Sequence, residues 1–178
     1  MLQASPCRQS PVLARSHIDP VTCEQIAVLL EGYAARGVFR GFSCGVPVAG
    51  RETFKMLWHR DQQFQLEVNM QAKTLRFPLV LPQVPAKSSM YREFRQFVTE
   101  QQAEGRLEHR RIDPAKVKIA CSNRAGNVGL TITAIDGDLE YSIRKLIGLV
   151  QEIYMVFLYD GRYYDYMIEI FDLDPDHM

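Results

Sequence analysis

The chain has 178 residues, of which 47% are hydrophobic and 24% are charged, as is typical of one soluble globular domain rather than a disordered or fibrous protein. No apolar run reaches the ~20 residues that a membrane-spanning helix needs. The net charge is zero, but residues 1–135 carry 18 Lys and Arg against 11 Asp and Glu (+7), and residues 136–178 carry 3 against 10 (−7). This split predicts either an acidic helix packed on a basic part of the fold or a surface that steers a partner.

The first 18 residues contain prolines, serines and arginines but no acidic residue and no hydrophobic period. We predict a disordered tail over residues 1–18 and a single domain over residues 19–178. The tail lacks the apolar core of a secretory signal, which favours a cytoplasmic location. The four cysteines form no C-x-x-C pair, so we predict reduced structural thiols and no metal or cofactor. They are Cys7, Cys23, Cys44 and Cys121.

A first helix is predicted from its start signals. Asp19 is a suitable N-cap, Pro20 fits the first helical position, and Gly37 is a suitable stop. The apolar residues between them recur at helical spacing. They are Ile26, Leu29, Leu30 and Tyr33.

A strand-rich region follows. Residues 41–50 contain three glycines and a proline, which predicts a loop or a short edge strand. Apolar and polar residues then alternate over residues 54–58, 64–70 and 75–81, which predicts three antiparallel strands with one buried face. Pro78 cannot donate to a ladder, so it places the third of these strands at an edge or bends it.

A second helix is predicted to begin at Ser88 or Ser89 and to end at Gly105. Its apolar residues form a stripe about one helix face wide, which we interpret as a contact with the sheet. They are Met90, Phe94, Phe97 and Val98.

Alternation over residues 117–121 and 128–134, around a glycine-containing turn at residues 123–127, predicts a hairpin. A final helix then completes the predicted order α-β-β-β-α-β-β-α. This order indicates an α+β fold in which helices pack on one face of an antiparallel sheet.

The final helix is predicted to start at Asp136 or Asp138 and to stop at Asp160–Gly161. Residues 163–171 then predict a short segment folded back on the core. One broad apolar face runs along the long helix. Its members are Ile143, Leu146, Ile147, Val150, Ile153, Tyr154 and Phe157.

An arginine cluster is the best candidate for an anion site. Arginine forks bind phosphate or carboxylate in a bidentate manner, and a neighbouring histidine can carry a proton. Alternatively, these arginines pair with Glu108, Asp113 and the acidic C-terminal helix. The candidate ligand-binding residues are Arg106, His109, Arg110, Arg111 and Arg124.

An aromatic run near the C-terminus is the candidate partner-binding surface. At this spacing such residues usually close a hydrophobic core, and the exposed remainder is available to a protein partner. The candidate residues are Tyr159, Tyr163, Tyr164, Tyr166 and Met167.

Other functional classes are not favoured. The isoelectric point of about 6.9 and the glutamates between the basic residues argue against nucleic-acid binding. Catalysis by a nucleophile needs a base and an orienting group nearby, but the histidines are scattered and Cys121 occupies an inward-facing strand position. We therefore predict that the protein is not an enzyme.

The order of elements, the hairpin VKIACSNRAGNVGLTITAI and the closing helix DLEYSIRKLIGLVQEIYMVFL resemble the YbjN / type III secretion chaperone-like fold over roughly residues 20–158. The resemblance implies small cytoplasmic proteins, often dimeric, that bind protein segments without catalysis, and it supplies no catalytic residues. The segment DGRYYDYMIEIFDLDPD departs from that pattern. We predict a non-enzymatic, chaperone- or adaptor-like module that binds a protein partner or a second copy of itself. The alternative is a small regulator that binds a phosphate-bearing ligand or anion through the arginine cluster.

Overall fold

The computed structural model describes residues 22–47, 49–159 and 163–172. It confirms the predicted α+β class. Of the loop and the short edge strand predicted for residues 41–50, the edge strand β1 is found, and the segment predicted to fold back over residues 163–171 is the helix α4. The predicted tail (residues 1–18) and the predicted helix break (160–161) lie outside the described residues. The elements in chain order are α1 Cys23–Ala35, β1 Arg40–Cys44, β2 Glu52–Trp58, β3 Gln62–Asn69, β4 Thr74–Leu81, α2 Ser89–Glu100, β5 Val117–Arg124, β6 Asn127–Ala134, α3 Leu139–Glu152, a π-helical segment Ile153–Tyr159, and α4 Tyr164–Phe171.

The six strands form one antiparallel sheet in the order β1-β2-β3-β4-β6-β5. Its register aligns the alternating apolar residues of neighbouring strands directly opposite one another, so they share one face. These cross-strand pairs include Phe54–Leu66, Met56–Phe64, Val68–Leu75, Leu75–Ile132 and Phe77–Leu130. All of these side chains are fully buried, which confirms the predicted one-sided burial.

Pro78 lies in a central strand and not at an edge, because β4 pairs with both β3 and β6. The β4–β6 register shifts between Phe77 and Leu81, where three β4 residues face only Gly129. The proline therefore occupies a bulge, where its missing N–H breaks no regular ladder bond. The predicted bend is confirmed and the predicted edge position is wrong.

Side-chain caps begin the first three helices. Thr22 and Gln25 form a reciprocal capping box at α1, so the cap is not the predicted Asp19, which lies outside the described residues. Ser88 caps α2 and Asp138 caps α3, as predicted. Helix α2 ends at Glu100, five residues before the predicted stop at Gly105.

The last long helix changes its period. It is α-helical to Glu152 and π-helical from Ile153 to Tyr159, where a single α-helix was predicted. The wider π turn still buries Tyr154 and Phe157. Helix α4 then packs back on the core through Met167, as predicted for this segment. No helix in the described ranges is both long enough and apolar enough to cross a membrane.

Candidate functional site

The loop between α2 and β5 carries four of the five residues predicted to bind an anion. It is fixed at its end, where the N–H of buried Ile112 donates to the carbonyl of Gln101 at 3.0 Å. The next N–H, of Asp113, donates to the Tyr141 hydroxyl at 2.9 Å. The loop is therefore held against both α2 and α3. The four residues it brings together are Arg106, His109, Arg110 and Arg111.

Glu152 of α3 neutralises part of this cluster. Arg106 Nη2 lies 3.3 Å from Glu152 Oε2, and Arg110 Nη1 lies 3.6 Å from Glu152 Oε1. The predicted pairing of loop arginines with the acidic C-terminal helix therefore occurs at this carboxylate. Arg111 instead donates through Nε to the carbonyl of Gln102 at 3.3 Å. Arg106 Nε is buried and has no hydrogen-bond partner among the described residues.

A cavity of about 130 Å³ lies between this loop and α3. Lys145 closes one side, where its Nζ donates to the carbonyl of His109 at 2.9 Å. Burial, followed by the charge of Lys116, lowers the pKa of Lys145. Arg144 and Lys145 were not among the predicted site residues, although they are the only adjacent pair of cations in α3. The lining residues are Gln101, His109, Arg110, Ile112, Arg144, Lys145, Gly148, Leu149 and Glu152.

Arg124 is not part of this cluster. It lies at the end of β5, seven residues from Val117, which adjoins the loop through a hydrogen bond to Asp113. At about 3.3 Å per residue this places it roughly 20 Å away. The structure therefore brings together the loop residues but not the hairpin arginine.

Three of the predicted partner-binding residues contribute to the core or to its rim. Met167 is buried. The Tyr163 hydroxyl donates to the carboxylate of Glu93, and the Tyr166 hydroxyl donates to the carbonyl of Pro82. These bonds attach α4 to α2 and to the end of β4. The hydroxyl groups of Tyr163 and Tyr166 therefore form hydrogen bonds inside the fold.

The other two predicted residues lie at the surface. Tyr159 is 45% exposed, and its ring meets that of half-buried Tyr164 edge-on at 5.8 Å. Met155 and Val156 are exposed to a similar extent on the same π-helical segment. We call these four residues the C-terminal apolar surface. Met155 and Val156 lie off the predicted helical stripe, so the sequence pattern did not predict them as part of this surface.

Strand β5 leaves one row of backbone groups without a partner strand. The N–H of Ile135 donates to the carbonyl of Lys116 at 2.8 Å. Lys116 and every second residue after it in β5 therefore direct their backbone N–H and C=O groups towards β6. Because the pattern alternates, the N–H and C=O groups of Ile119, Cys121 and Asn123 point away from β6. Within the described ranges, no hydrogen bond reaches these groups. They form a template for an added strand.

The β5 edge is basic. Lys118 and Arg124 are exposed on the sheet face opposite the core, to which every second β5 residue points. Arg95 of α2 lies close enough on the core side for its charge to act on the Cys121 thiol. An extended segment placed along this edge would therefore meet positive charge on the outer face of the sheet.

The thiol of Cys121 is not suited to nucleophilic chemistry. Burial, opposed only in part by Arg95, raises its pKa to about 11, so it stays protonated near neutral pH. The other described cysteines, Cys23 and Cys44, are also free thiols. No group of three or more His, Cys, Asp or Glu within the described ranges could hold a metal ion. The absence of catalysis stays a prediction.

His59 lies in the three-residue turn between β2 and β3 and is enclosed by aromatic rings. It stacks on Trp58 at 4.5 Å and on Tyr154 at 4.1 Å, with an interplanar angle of 1° to the tyrosine. Its Nε2 is buried without a partner in the described structure. Burial, reinforced by the charge of Arg60, lowers the pKa of His59 to about 3.

We expect this histidine to make the fold less stable in mild acid. Below pH 6.5 the unfolded chain protonates His59 and the folded chain does not. The unfolding free energy should therefore fall by up to about 1.4 kcal/mol per pH unit as the pH drops from 6.5 towards 3. Urea unfolding at several pH values, compared with His59→Phe, measures this slope. Equal slopes in the two proteins would contradict the assignment.

Comparisons with protein-family models, with curated proteins and with solved structures found no match to this chain. The resemblance to the YbjN / type III secretion chaperone-like fold therefore stays a prediction based on the order of elements.

Proposed function

We propose that this protein is a non-enzymatic, chaperone- or adaptor-like module of the cytoplasm that binds an extended segment of another protein along β5. The observation that carries the proposal is the row of outward backbone groups at Ile119, Cys121 and Asn123, next to the exposed cations Lys118 and Arg124. Backbone groups of an edge strand supply affinity for an extended peptide, and its alternate side chains supply specificity.

The opposite edge of the sheet is less suited to this role. Strand β1 has five residues, and its pairing with β2 is irregular between Arg40 and Ser43. Gly41 within it has a positive φ of 57°. A short, bulged edge discourages strand addition, whereas β5 pairs with β6 without interruption over eight residues.

Charge disfavours one register in which a second copy of the chain could pair with β5. A symmetric antiparallel pairing centred on Cys121 would place Lys118 directly opposite Arg124 of the second copy, on the same face. Like charges opposite each other across a ladder are destabilising. The predicted homodimer is therefore a competing outcome, which the mass of the protein in solution tests.

The two faces of the β5 edge specify the chemistry of the partner. Side chains on the outer face of an added strand would lie beside Lys118 and Arg124, which favours Asp or Glu. Those on the core face would lie beside half-buried Ile119 and Cys121, which favours apolar residues. The preferred partner is an extended segment in which acidic and apolar residues alternate.

Reversal of the two edge charges should weaken binding of such a segment. We expect the double variant Lys118→Glu/Arg124→Glu to bind a short labelled peptide of alternating Glu and Val about tenfold or more weakly than the wild type. Fluorescence anisotropy measures this affinity. Lys55→Glu is a control for charge reversal elsewhere on the sheet, because Lys55 is an exposed cation on β2, away from this edge.

A proline in the edge separates strand addition from simple charge attraction. Cys121→Pro removes an N–H that points away from β6, so the fold should persist and peptide binding should be lost. Ala120→Pro removes an N–H that points towards β6 and should destabilise the fold itself. Full binding by Cys121→Pro, equal binding of a Lys/Val peptide, or a stable dimer by light scattering would contradict the proposal.

A further inference from the structure

The cavity between the α2–β5 loop and α3 contains more positive than negative charge. Arg110, Arg144 and Lys145 line it, and Glu152 is the single acidic residue of its lining. Arg144 also pairs with Glu140, one helical turn away on the outer surface, at 2.6 Å. The pair is about half exposed, so solvent weakens its neutralising effect.

Glu152 is already shared between two guanidinium groups. Arg106 and Arg110 each contact one of its oxygens, at 3.3 and 3.6 Å. The buried Nε of Arg106 still has no partner among the described residues. Arg106 does not line the cavity, so what remains beside the cavity is the positive charge that one carboxylate does not neutralise.

A second pair of cations strengthens the local field. Lys116 and Lys145 both lie over the ring of Tyr141, with Nζ atoms 4.8 and 5.4 Å from its centroid. Burial of Lys145, together with the nearby charge of Lys116, lowers the pKa of Lys145. An anion in the adjacent cavity would offset the repulsion between the charges of Lys116 and Lys145.

We propose that this cavity binds a phosphate group, either as inorganic phosphate or as part of a small phosphate monoester. Its small volume of about 130 Å³ and its lining by Arg110, Arg144 and Lys145 suit a small oxyanion. Arg110 supplies a guanidinium fork, while Arg144, whose Nε and Nη2 both donate to Glu140, and Lys145 supply further positive charge. The site thus uses Arg110 of the sequence-predicted cluster together with two α3 residues, and it does not use Arg124.

Titration calorimetry with inorganic phosphate and with glycerol 2-phosphate tests the site and separates the two sources. We expect one saturable site in the wild type, and at least tenfold weaker affinity in Arg110→Gln/Arg144→Gln. Both side chains are at least half exposed, so the fold should be preserved. Arg92→Gln/Arg95→Gln is the matched control, because it removes the same charge from two exposed residues of α2 that do not line the cavity.

Glu152 provides a test of opposite sign. Glu152→Gln removes the anion that competes for the arginines, so phosphate should bind more tightly and raise Tm by more than in the wild type. The proposal is overturned if Glu152→Gln gives an equal or smaller rise, if both double variants bind alike, or if chloride at matched ionic strength has the same effect. Lys118→Glu/Arg124→Glu should keep phosphate binding, which separates this site from the β5 edge.

Discussion

Replacement of Tyr154 with alanine should lower the free energy of unfolding by about 3–5 kcal/mol, the range found for removal of a buried aromatic ring. Tyr154 is 3% exposed and lies where the π-helical segment meets the β2–β3 turn. Its ring stacks on His59 at 4.1 Å and contacts Phe64 and Phe171 at 5.9 and 6.1 Å. Removal of the ring would leave a cavity bordered by three other rings.

The hydroxyl group contributes separately. It donates to the carbonyl of Val80, inside the β4 bulge, at 2.8 Å. Tyr154→Phe keeps the stacked ring and leaves that carbonyl without its donor, so we expect a smaller loss of about 1–3 kcal/mol. The difference between the two variants gives the contribution of the ring itself.

Urea unfolding followed by circular dichroism measures both variants. Tyr159→Ala is the matched control, since Tyr159 is in the same π-helical segment but is 45% exposed, and its loss should be below that of Tyr154→Phe. If Tyr154→Ala were no more destabilising than Tyr159→Ala, the π-helical segment would not be packed as described.

Periodicity predicted the parts of this fold in which burial follows local sequence. The alternation at Phe64, Leu66 and Val68 predicts one buried strand face, and all three side chains are indeed buried. Met90 and Phe94 similarly mark the buried face of α2. Predictions from such patterns hold because each helix or strand buries one continuous face against a single core.

Features that depend on distant contacts were not predicted. The β2–β3 turn holds His59, Arg60 and Asp61 at positive φ without a glycine, and Asp61 is its one common turn residue, so the turn signal in the sequence is weak. The stack of His59 on Tyr154, 95 residues later, helps to hold this conformation. The π-helical period likewise accompanies the packing of Tyr154 and Phe157 on other elements and leaves no local signature.

The candidate sites show the same division. The arginines of the α2–β5 loop are neighbours in the sequence, so their proximity could be predicted. The position of Lys145 and Glu152 opposite that loop depends on how α3 crosses the sheet. Arg124 was grouped with the loop by charge alone, but the length of β5 separates them. The open β5 edge follows from strand order, which periodicity does not determine.

Gly129→Ala should destabilise the protein by about 3 kcal/mol, because the β4 bulge passes directly over this glycine. A Cβ atom built at Gly129 would lie 2.7 Å from the carbonyl oxygen of Pro78 and 2.9 Å from that of Phe77. Both atoms belong to the backbone of a central strand, so relief requires a shift of β4 against β6. Overpacking of this kind typically costs 1–3 kcal/mol or more.

Gly148→Ala is the matched control, with an expected effect of opposite sign. Gly148 is exposed within α3, and an added Cβ would meet no atom within 4 Å. Since alanine is the better helix former, this variant should gain about 0.5–1 kcal/mol. Chemical denaturation of both variants measures the difference, about 4 kcal/mol in total. Similar stabilities of the two variants would show that β4 does not pass over Gly129 as closely as 2.7 Å. They would also contradict the β4 bulge, whose Val80 carbonyl accepts the hydrogen bond of the Tyr154 hydroxyl.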